Sequence, residues 1–585
     1  MDYTLKEITG KARGALKGAW ESLVPLLSDE KKNLSIALVA VVISSASNLL
    51  APIVIAHAID TAIASHDFGA VARDSALLAA VYIFGLIAGY LQTIRMGTVG
   101  RNVLFKLRNA LFTRLSELPV AFFNQNKTGD LISRINNDTD KLNQFFGQAL
   151  MQFIGSFFVI LGAGILLLTL NWRLGLVALI PALVVFIATQ LLSAWVKRKS
   201  LAGLQSLGSL SGEIEESLAN FKVIVAFNRV DYFRTKFDGA NQANYKASTV
   251  SGIASNIFTP LYTLASNSGQ LLVLGYGLVL IASGHLTIGL LVGYLLYVNS
   301  FYGPLRQLAA IWSNLQLALA ALDRIQQVLV LRSNMPVLEG DAAADTGAFL
   351  SFDDVSFAYG DSAPVLHDVS FSLERGKTYA LVGPTGGGKT TTASLMARLY
   401  DPTQGRITLD GKDIRAYTAQ ERAQKIGFIL QEPFLFTGTV RDNIVYGNDE
   451  LIALSDEELE KQLHAKDLGT LLDRFSEGLS TSVTGSGASI SLGQRQIIAF
   501  MRAILRAPEL LILDEATANI DTVTEQLLEH LLDLLPESTT TVIIAHRLNT
   551  IENADTIFFV NGGTVTEAGS MEHAVDLLLH GKHAS

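Results

Sequence analysis

The segment Gly383-Pro384-Thr385-Gly386-Gly387-Gly388-Lys389-Thr390 has the residue types needed to hold a phosphate. Glycines let backbone N–H groups wrap an anion, a lysine reaches the outer phosphates, and a hydroxyl at the last position can ligate magnesium. The apolar run Lys377 to Val382 before the glycines has strand character, and Thr391 opens the helix-like stretch Thr391 to Leu399 after them. That strand-loop-helix context points a helix N-terminus at the anion and disfavours an ordinary glycine-rich turn. A second apolar run, Leu510 to Leu513, ends in Asp514-Glu515, and a third, Thr540 to Ile544, ends in Ala545-His546. Parallel sheets carry their chemistry at such carboxyl ends. Asp514 suits magnesium held through water, and Glu515 suits a base that polarises an attacking water. His546 adds one imidazole to the same edge, where a histidine taken alone is more often structural than catalytic.

These elements occupy only the C-terminal part of a 585-residue chain, which is long enough for more than one folded unit. Charged residues make up 17% of it and hydrophobic residues 49%, against roughly 25% charged in ordinary globular domains. This excludes a disordered chain and points to a bilayer. The 45 basic and 54 acidic residues give a net charge of -9, a poor balance for binding a polyanion, so no nucleic acid partner is expected. The chain has no cysteine, which removes disulfides, thiolate nucleophiles and cysteine-held zinc.

Asp, Glu, Lys and Arg vanish from five stretches long enough for membrane helices: Leu34 to Ile59, Ser75 to Ile94, Leu142 to Trp172, Leu174 to Val196, and Ala247 to Leu305. The last holds two helices with a turn at Ser283-Gly284-His285-Leu286-Thr287, giving six spans over 34–59, 75–94, 142–171, 174–196, 250–282 and 287–305. Lys and Arg outside the spans alternate: six before the first, then one, eight, one, eight and none. Basic loops stay on the cytoplasmic side, which places both termini there and suggests the plasma (inner) membrane. Gly14 to Leu27, with Trp20, Leu23 and Leu26, reads as an amphipathic helix on the inner surface rather than a cleaved signal. Apolar residues at helical spacing, as in Val103, Leu104, Leu107, Leu111 and Leu115, extend the membrane helices into the cytoplasm. The expected fold is an all-α six-helix transmembrane domain with long cytoplasmic extensions over 1–330, a linker over 331–348, and an α/β P-loop ATPase domain over 349–585.

Polar residues recur at helical spacing in two spans: Gln144, Gln148, Gln152 and Ser156 in the third, and Asn256, Thr259, Thr263, Asn267 and Gln270 in the fifth. One reading is hydrogen bonding between helices. The other is a shared substrate cavity with Phe145, Phe153, Tyr294 and Tyr297 as aromatic neighbours. No acidic or basic residue lies well inside a span, which disfavours a pocket for strongly charged solutes or metal ions. His57, near the outer end of the first span, is read as structural.

Ile490-Ser491-Leu492-Gly493-Gln494, followed by Arg495-Gln496, resembles the LSGGQ signature of the ATP-binding cassette (ABC) transporters, and nearly the whole chain is similar to exporters that fuse six membrane helices to one nucleotide-binding domain. The resemblance implies ATP and Mg2+ as cofactors, with Gly383 to Thr391 around the phosphates and Tyr359 stacked on adenine. It implies metal contacts from Thr390, Gln431 and Asp514, and catalytic roles for Glu515, Gln431 and His546. Ser491, Gly493, Gln494 and the D-loop residue Asp521 would act in trans on ATP bound to the opposite subunit. Phe122-Phe123 with Thr128-Gly129-Asp130 and Arg134 looks like the first coupling region, and Asn220 to Arg229 like the second. Leu492 stands where the family has its first signature glycine, Thr484 to Gly487 lacks the usual glutamate, and Ala518-Asn519-Ile520-Asp521 differs from Ser-Ala-Leu-Asp.

One phosphate loop and one signature per chain require a dimer if the signature serves a neighbour. A homodimer is favoured over a heterodimer with a related half-transporter, because every motif is present in this chain. The expected function is ATP-driven export of a hydrophobic or amphipathic substrate by alternating access, whether lipid, lipid-linked molecule, drug or peptide. An ATP-gated channel and a membrane-anchored regulatory ATPase are the alternatives.

Overall fold

The computed structural model describes residues 3–5, 28–339, 347–360, 362–484, 490–514, 522–544, 554–568 and 573. The amphipathic stretch Gly14 to Leu27, Glu515, Asp521, His546 and residues 340–346 of the linker therefore lie outside the described residues. The chain divides into two compact units, one of Lys6–Ser116 and Gly129–Val330, the other of Met1–Leu5, Glu117–Thr128 and Leu331–Ser585.

The described residues of the membrane-type unit form helices and the turns between them, with no strand. Its long helices are α1 (Lys31–His57, continued by a π turn to Ile63), α2 (Phe68–Ser116), α4 (Leu150–Leu170), α5 (Trp172–Ala219), α7 (Val230–Asn256), α8 (Phe258–Ala282) and α9 (Ile288–Leu329). Short helical pieces from Thr128 to Ala149 lead into α4. Among the described residues, six stretches are long and apolar enough to cross a membrane, the number of spans expected. At 48 residues α5 is about 72 Å long, more than twice the thickness of a hydrocarbon core. The expected extension of α5 beyond its apolar span is therefore continuous helix. Polar caps set two of the reversals: Asn171 accepts from the Leu174 N–H at the start of α5, and Thr287 accepts from that of Leu290 at the start of α9. Gly284, at φ +74°, makes the turn before α9.

Outside the apolar spans, α5 and α7 form an arm joined by the short helix α6 (Phe221–Ala226), and they pack chiefly on each other. Leu204, Leu218 and Phe227 on this arm are 66%, 70% and 74% exposed. Nearer the bundle, a polar cluster ties the pieces after Thr128 to α9. Asp138 is fully buried between Lys141 Nζ at 3.0 Å and Arg324 Nε at 3.2 Å. Arg134 Nε donates to Asp130 at 2.8 Å, and Arg324 also pairs with Asp130.

The second unit is built on a six-stranded sheet of order β12-β11-β3-β10-β9-β6. Its members are β3 (Thr378–Val382), β6 (Ile426–Ile429), β9 (Leu510–Asp514), β10 (Thr540–Ile544), β11 (Thr556–Asn561) and β12 (Thr564–Glu567). All pair in parallel except β12. The central strands β9 and β10 are buried throughout, which explains their unbroken apolar runs. Alternate residues feed two cores: Leu511 and Leu513 one, Leu510 and Ile512 the other. A second, antiparallel sheet pairs β1 (Leu350–Phe357) with β2 (Leu366–Leu373) and β4 (Gln404–Leu409).

Two distant pieces of sequence join this unit: the one around Phe122, which resembles a coupling region, and the one around Tyr3, which no motif marks. The short helix α3 (Val120–Gln125) buries Phe122, and its Asn124 donates to the Tyr400 hydroxyl at 2.7 Å. Tyr3 is 1% exposed, with its ring edge-on to Phe122. Its hydroxyl donates to Asn334 Oδ1 at 2.7 Å, and its backbone N–H donates to Gln125 Oε1 at 2.6 Å.

Candidate functional site

The phosphate loop leaves β3 after Val382 and enters α10 (Lys389–Met396). A Cβ at Gly383 would sit 2.0 Å from the Val560 carbonyl oxygen and one at Gly387 2.5 Å from it, so the loop runs against β11 where no side chain fits. Gly388, at φ +114°, turns the chain into the helix in a conformation side chains disfavour. Lys389 is buried, its amine 2.9 Å from the Gly383 carbonyl oxygen and 3.1 Å from that of Pro384. These contacts hold the cation beneath a loop whose backbone N–H groups are shaped for an anion. This cradle, which no Cβ could enter, fits a nucleotide phosphate.

Tyr359 sits beside the loop, its hydroxyl 3.0 Å from Thr391 Oγ1 and its ring edge-on to Phe357 and Tyr400. Tyr359, Thr390, Tyr400 and Asn124 line one cleft of about 1120 Å³, wide enough for a nucleoside. Burial pushes the Tyr400 phenol up despite the hydrogen bond from Asn124, which keeps it neutral. Asn124 and Tyr400 were not singled out in the sequence, because α3 and the residues after α10 are 276 positions apart and share no motif.

Strand register brings the remaining polar groups to the same sheet edge. Asp514 pairs with Ile544, which pairs in turn with Leu381 at the end of β3. On the other side of β9, Leu513 pairs with Ile429, and Gln431 follows two residues later. Thr390, Gln431 and Asp514 thus offer a hydroxyl, an amide and a single buried carboxylate. That sparse oxygen set suits Mg2+, which keeps waters and phosphate oxygens as its other ligands.

Ser491 is the N-cap of α11 (Leu492–Leu505). Its hydroxyl accepts from the Gln494 N–H at 3.2 Å, while Gln494 Oε1 accepts from the Ser491 N–H at 2.9 Å. This capping box leaves the Leu492 and Gly493 N–H groups with no partner inside the helix, as an anion site requires. A Cβ at Gly493 would meet Thr524 at 3.0 Å, which accounts for glycine there while Leu492 is tolerated one position earlier.

Among the described residues, the cavity that Gln152 lines includes no residue of the fifth-span stripe. Asn256 and Thr263 bond back to their own helices at Gly252 and Thr259, Gln270 donates to Asn299 at 2.7 Å, and Gln148 and Asn267 are exposed. Tyr294 and Tyr297 are corrected from cavity neighbours to core: both are buried, donating to the Leu167 and Leu49 carbonyl oxygens. Helical spacing shows which residues share a face, not what that face meets.

A phosphate loop on a parallel sheet, a serine-capped helix and six apolar helices define a P-loop ATPase fused to a membrane bundle. Residues 34–305 match the family described as "ABC transporter transmembrane region", and residues 366–518 match "ABC transporter". The ABC transporter ATP-binding protein YfiC of Bacillus subtilis (strain 168) is 34% identical over 96% of this chain and 92% of its own. The fatty acid ABC transporter ATP-binding/permease protein of Mycobacterium tuberculosis is 33% identical over 86% of this chain and 79% of its own. The multidrug resistance ABC transporter ATP-binding and permease protein of Lactococcus lactis subsp. cremoris is 32% identical over 86% and 84%. The chain belongs to the ABC transporter family, as an exporter half-transporter whose ATP hydrolysis is coupled to transport.

Proposed function

We propose that two copies of this chain form a homodimer that exports a hydrophobic or amphipathic substrate by alternating access, with both termini and the ATPase unit cytoplasmic. The observation that carries the dimer is the α5–α7 arm, whose exposed leucines and phenylalanine lie beyond the apolar spans and are covered by nothing in their own unit. Apolar patches of that kind mark interaction sites. The Ser491 cap supports the same reading, because a single signature completes an ATP site only with a second chain. Fatty acid and multidrug relatives, together with spans free of Asp, Glu, Lys and Arg, support a lipid-like or amphipathic cargo.

Within each composite site, the loop N–H groups and Lys389 hold the outer phosphates, while Thr390, Gln431 and Asp514 hold Mg2+. The metal offsets phosphate charge. Tyr359 stacks on adenine, Glu515 orients the attacking water, and His546 contacts the terminal phosphate. Ser491, Gly493, Gln494 and Asp521 of the opposing copy close the site. Closure of the two ATPase units moves the helix extensions and opens the pathway outward, and hydrolysis resets it.

The test is Glu515→Gln in proteoliposomes. ATP-dependent closure should persist while phosphate release nearly stops, and normal turnover would overturn the assignment. Purification of this chain expressed alone tests the homodimer, which a monomer without ATPase activity would overturn.

A further inference from the structure

The cavity lined by Gln152 measures about 320 Å³ and lies among α1, α2, α4 and α9 of one chain. Ser44, Asn48, Gln92, Gln152, Ser300 and Gln307 contribute hydroxyls and amides to it. Ser45 and Ser156, 5% and 4% exposed, complete the polar wall. None of the lining residues is ionisable. Arg95 and Arg306, close in sequence to Gln92 and Gln307, do not line it, and Arg95 donates to Asn33 instead. Gln152 meets Gln307 at 3.5 Å, a weak contact. Among the described residues, no side-chain partner is found for Ser44, Asn48, Gln92, Ser156 or Ser300.

Polar groups within a span are normally satisfied inside the protein, because hydrocarbon offers them nothing. Here the deficit extends to the backbone. Pro52 interrupts α1 and Pro304 interrupts α9. A proline supplies no N–H, so the carbonyls four residues earlier lose their helical donors. Those carbonyls belong to Asn48 and Ser300, both of which line the cavity. Two helices thus offer spare acceptors at one place, beside amides that both donate and accept, with no charge to balance an ion.

We propose that this chamber binds the uncharged, hydroxyl- or N–H-bearing head of an amphiphile, with its hydrocarbon chain left to the apolar surroundings. The inference rests on the export reading and names the class of substrate for it. A carboxylate brings only acceptors to meet the two carbonyls, and an ammonium finds no counter-charge.

The test is binding of tritiated 1-monooleoylglycerol to the full chain in detergent micelles without ATP, with competition by oleate and oleylamine, which keep the chain length and change the head. Unlabelled monooleoylglycerol should compete at about tenfold or more below either charged analogue. Gln152→Leu and Pro304→Ala, the second of which removes no polar side chain, should each weaken binding by about three- to tenfold. Gln152→Glu should shift preference toward oleylamine, a gain that misfolding cannot produce. Equal competition by oleate or oleylamine, unchanged binding in Pro304→Ala, or an unaltered preference in Gln152→Glu would each overturn the chamber. Loss of this binding with ATP-driven export intact would sink the chamber alone. Binding as expected with no ATP-driven export would instead sink the transport reading.

Discussion

At the phosphate loop Lys389 lies within 3.1 Å of two carbonyl oxygens and Tyr359 meets Thr391, whereas among the described residues Asn48, Gln92 and Ser156 of the membrane chamber meet no side-chain partner. The first site is shaped by its own hydrogen bonds before any ligand arrives, as an electrostatic catalyst must be. The second holds polar groups in reserve in the medium where that is most costly. A motor that always handles the same nucleotide can be rigid. A pathway that admits and releases its cargo has to leave some bonds unmade.

Five substitutions, one of them a rescue, probe that contrast. Lys389→Ala should lower phosphate release by about 10²–10³-fold, because it removes a charge aimed at the transferring phosphate. Residual activity near wild type would mean that the buried amine only braces the loop. Arg324→Ala, in the membrane unit but outside the chamber, strips the fully buried Asp138 of one partner and Asp130 of another. It should destabilise the full chain by about 3–5 kcal/mol in thermal unfolding. Asp138→Asn in the same background should recover part of that loss. Ser491→Ala breaks the capping box and should cost about 1 kcal/mol of stability together with a loss of hydrolysis. Stability loss without any change in hydrolysis would confine Ser491 to capping. The smallest effect has the opposite sign: Ser156→Ala, which deletes a buried hydroxyl with no side-chain partner, should stabilise by about 0.5–1 kcal/mol. A destabilised Ser156→Ala protein would show that the hydroxyl has a structural partner after all.

The charge-free stretches and glycine-rich loop made much of this architecture legible in the sequence, because a bilayer and a phosphate each impose a local pattern. Six helices and a parallel sheet followed from those patterns. Long-range partnerships did not. Arg324 and Asp130 are 194 residues apart, and Asn124 and Tyr400 are 276 apart, so no window of sequence contains either pair. The chamber is half legible through Gln152, while the residues it shares that cavity with come from α1, α2, α9 and its own α4, and none from the α8 stripe. Pro52 and Pro304 carried the missing signal, since each marks a span where a carbonyl has lost its donor.

The burial of Tyr3 bears on the order in which the chain settles during synthesis. Its hydroxyl partner Asn334 lies 331 residues downstream, and the helix that shields its ring belongs to yet another stretch. At ribosomal rates of about 5–20 residues per second, Tyr3 waits some tens of seconds for that partner to be made. Tyr3 therefore docks long after it is made, and only when three separate parts of the chain are in place.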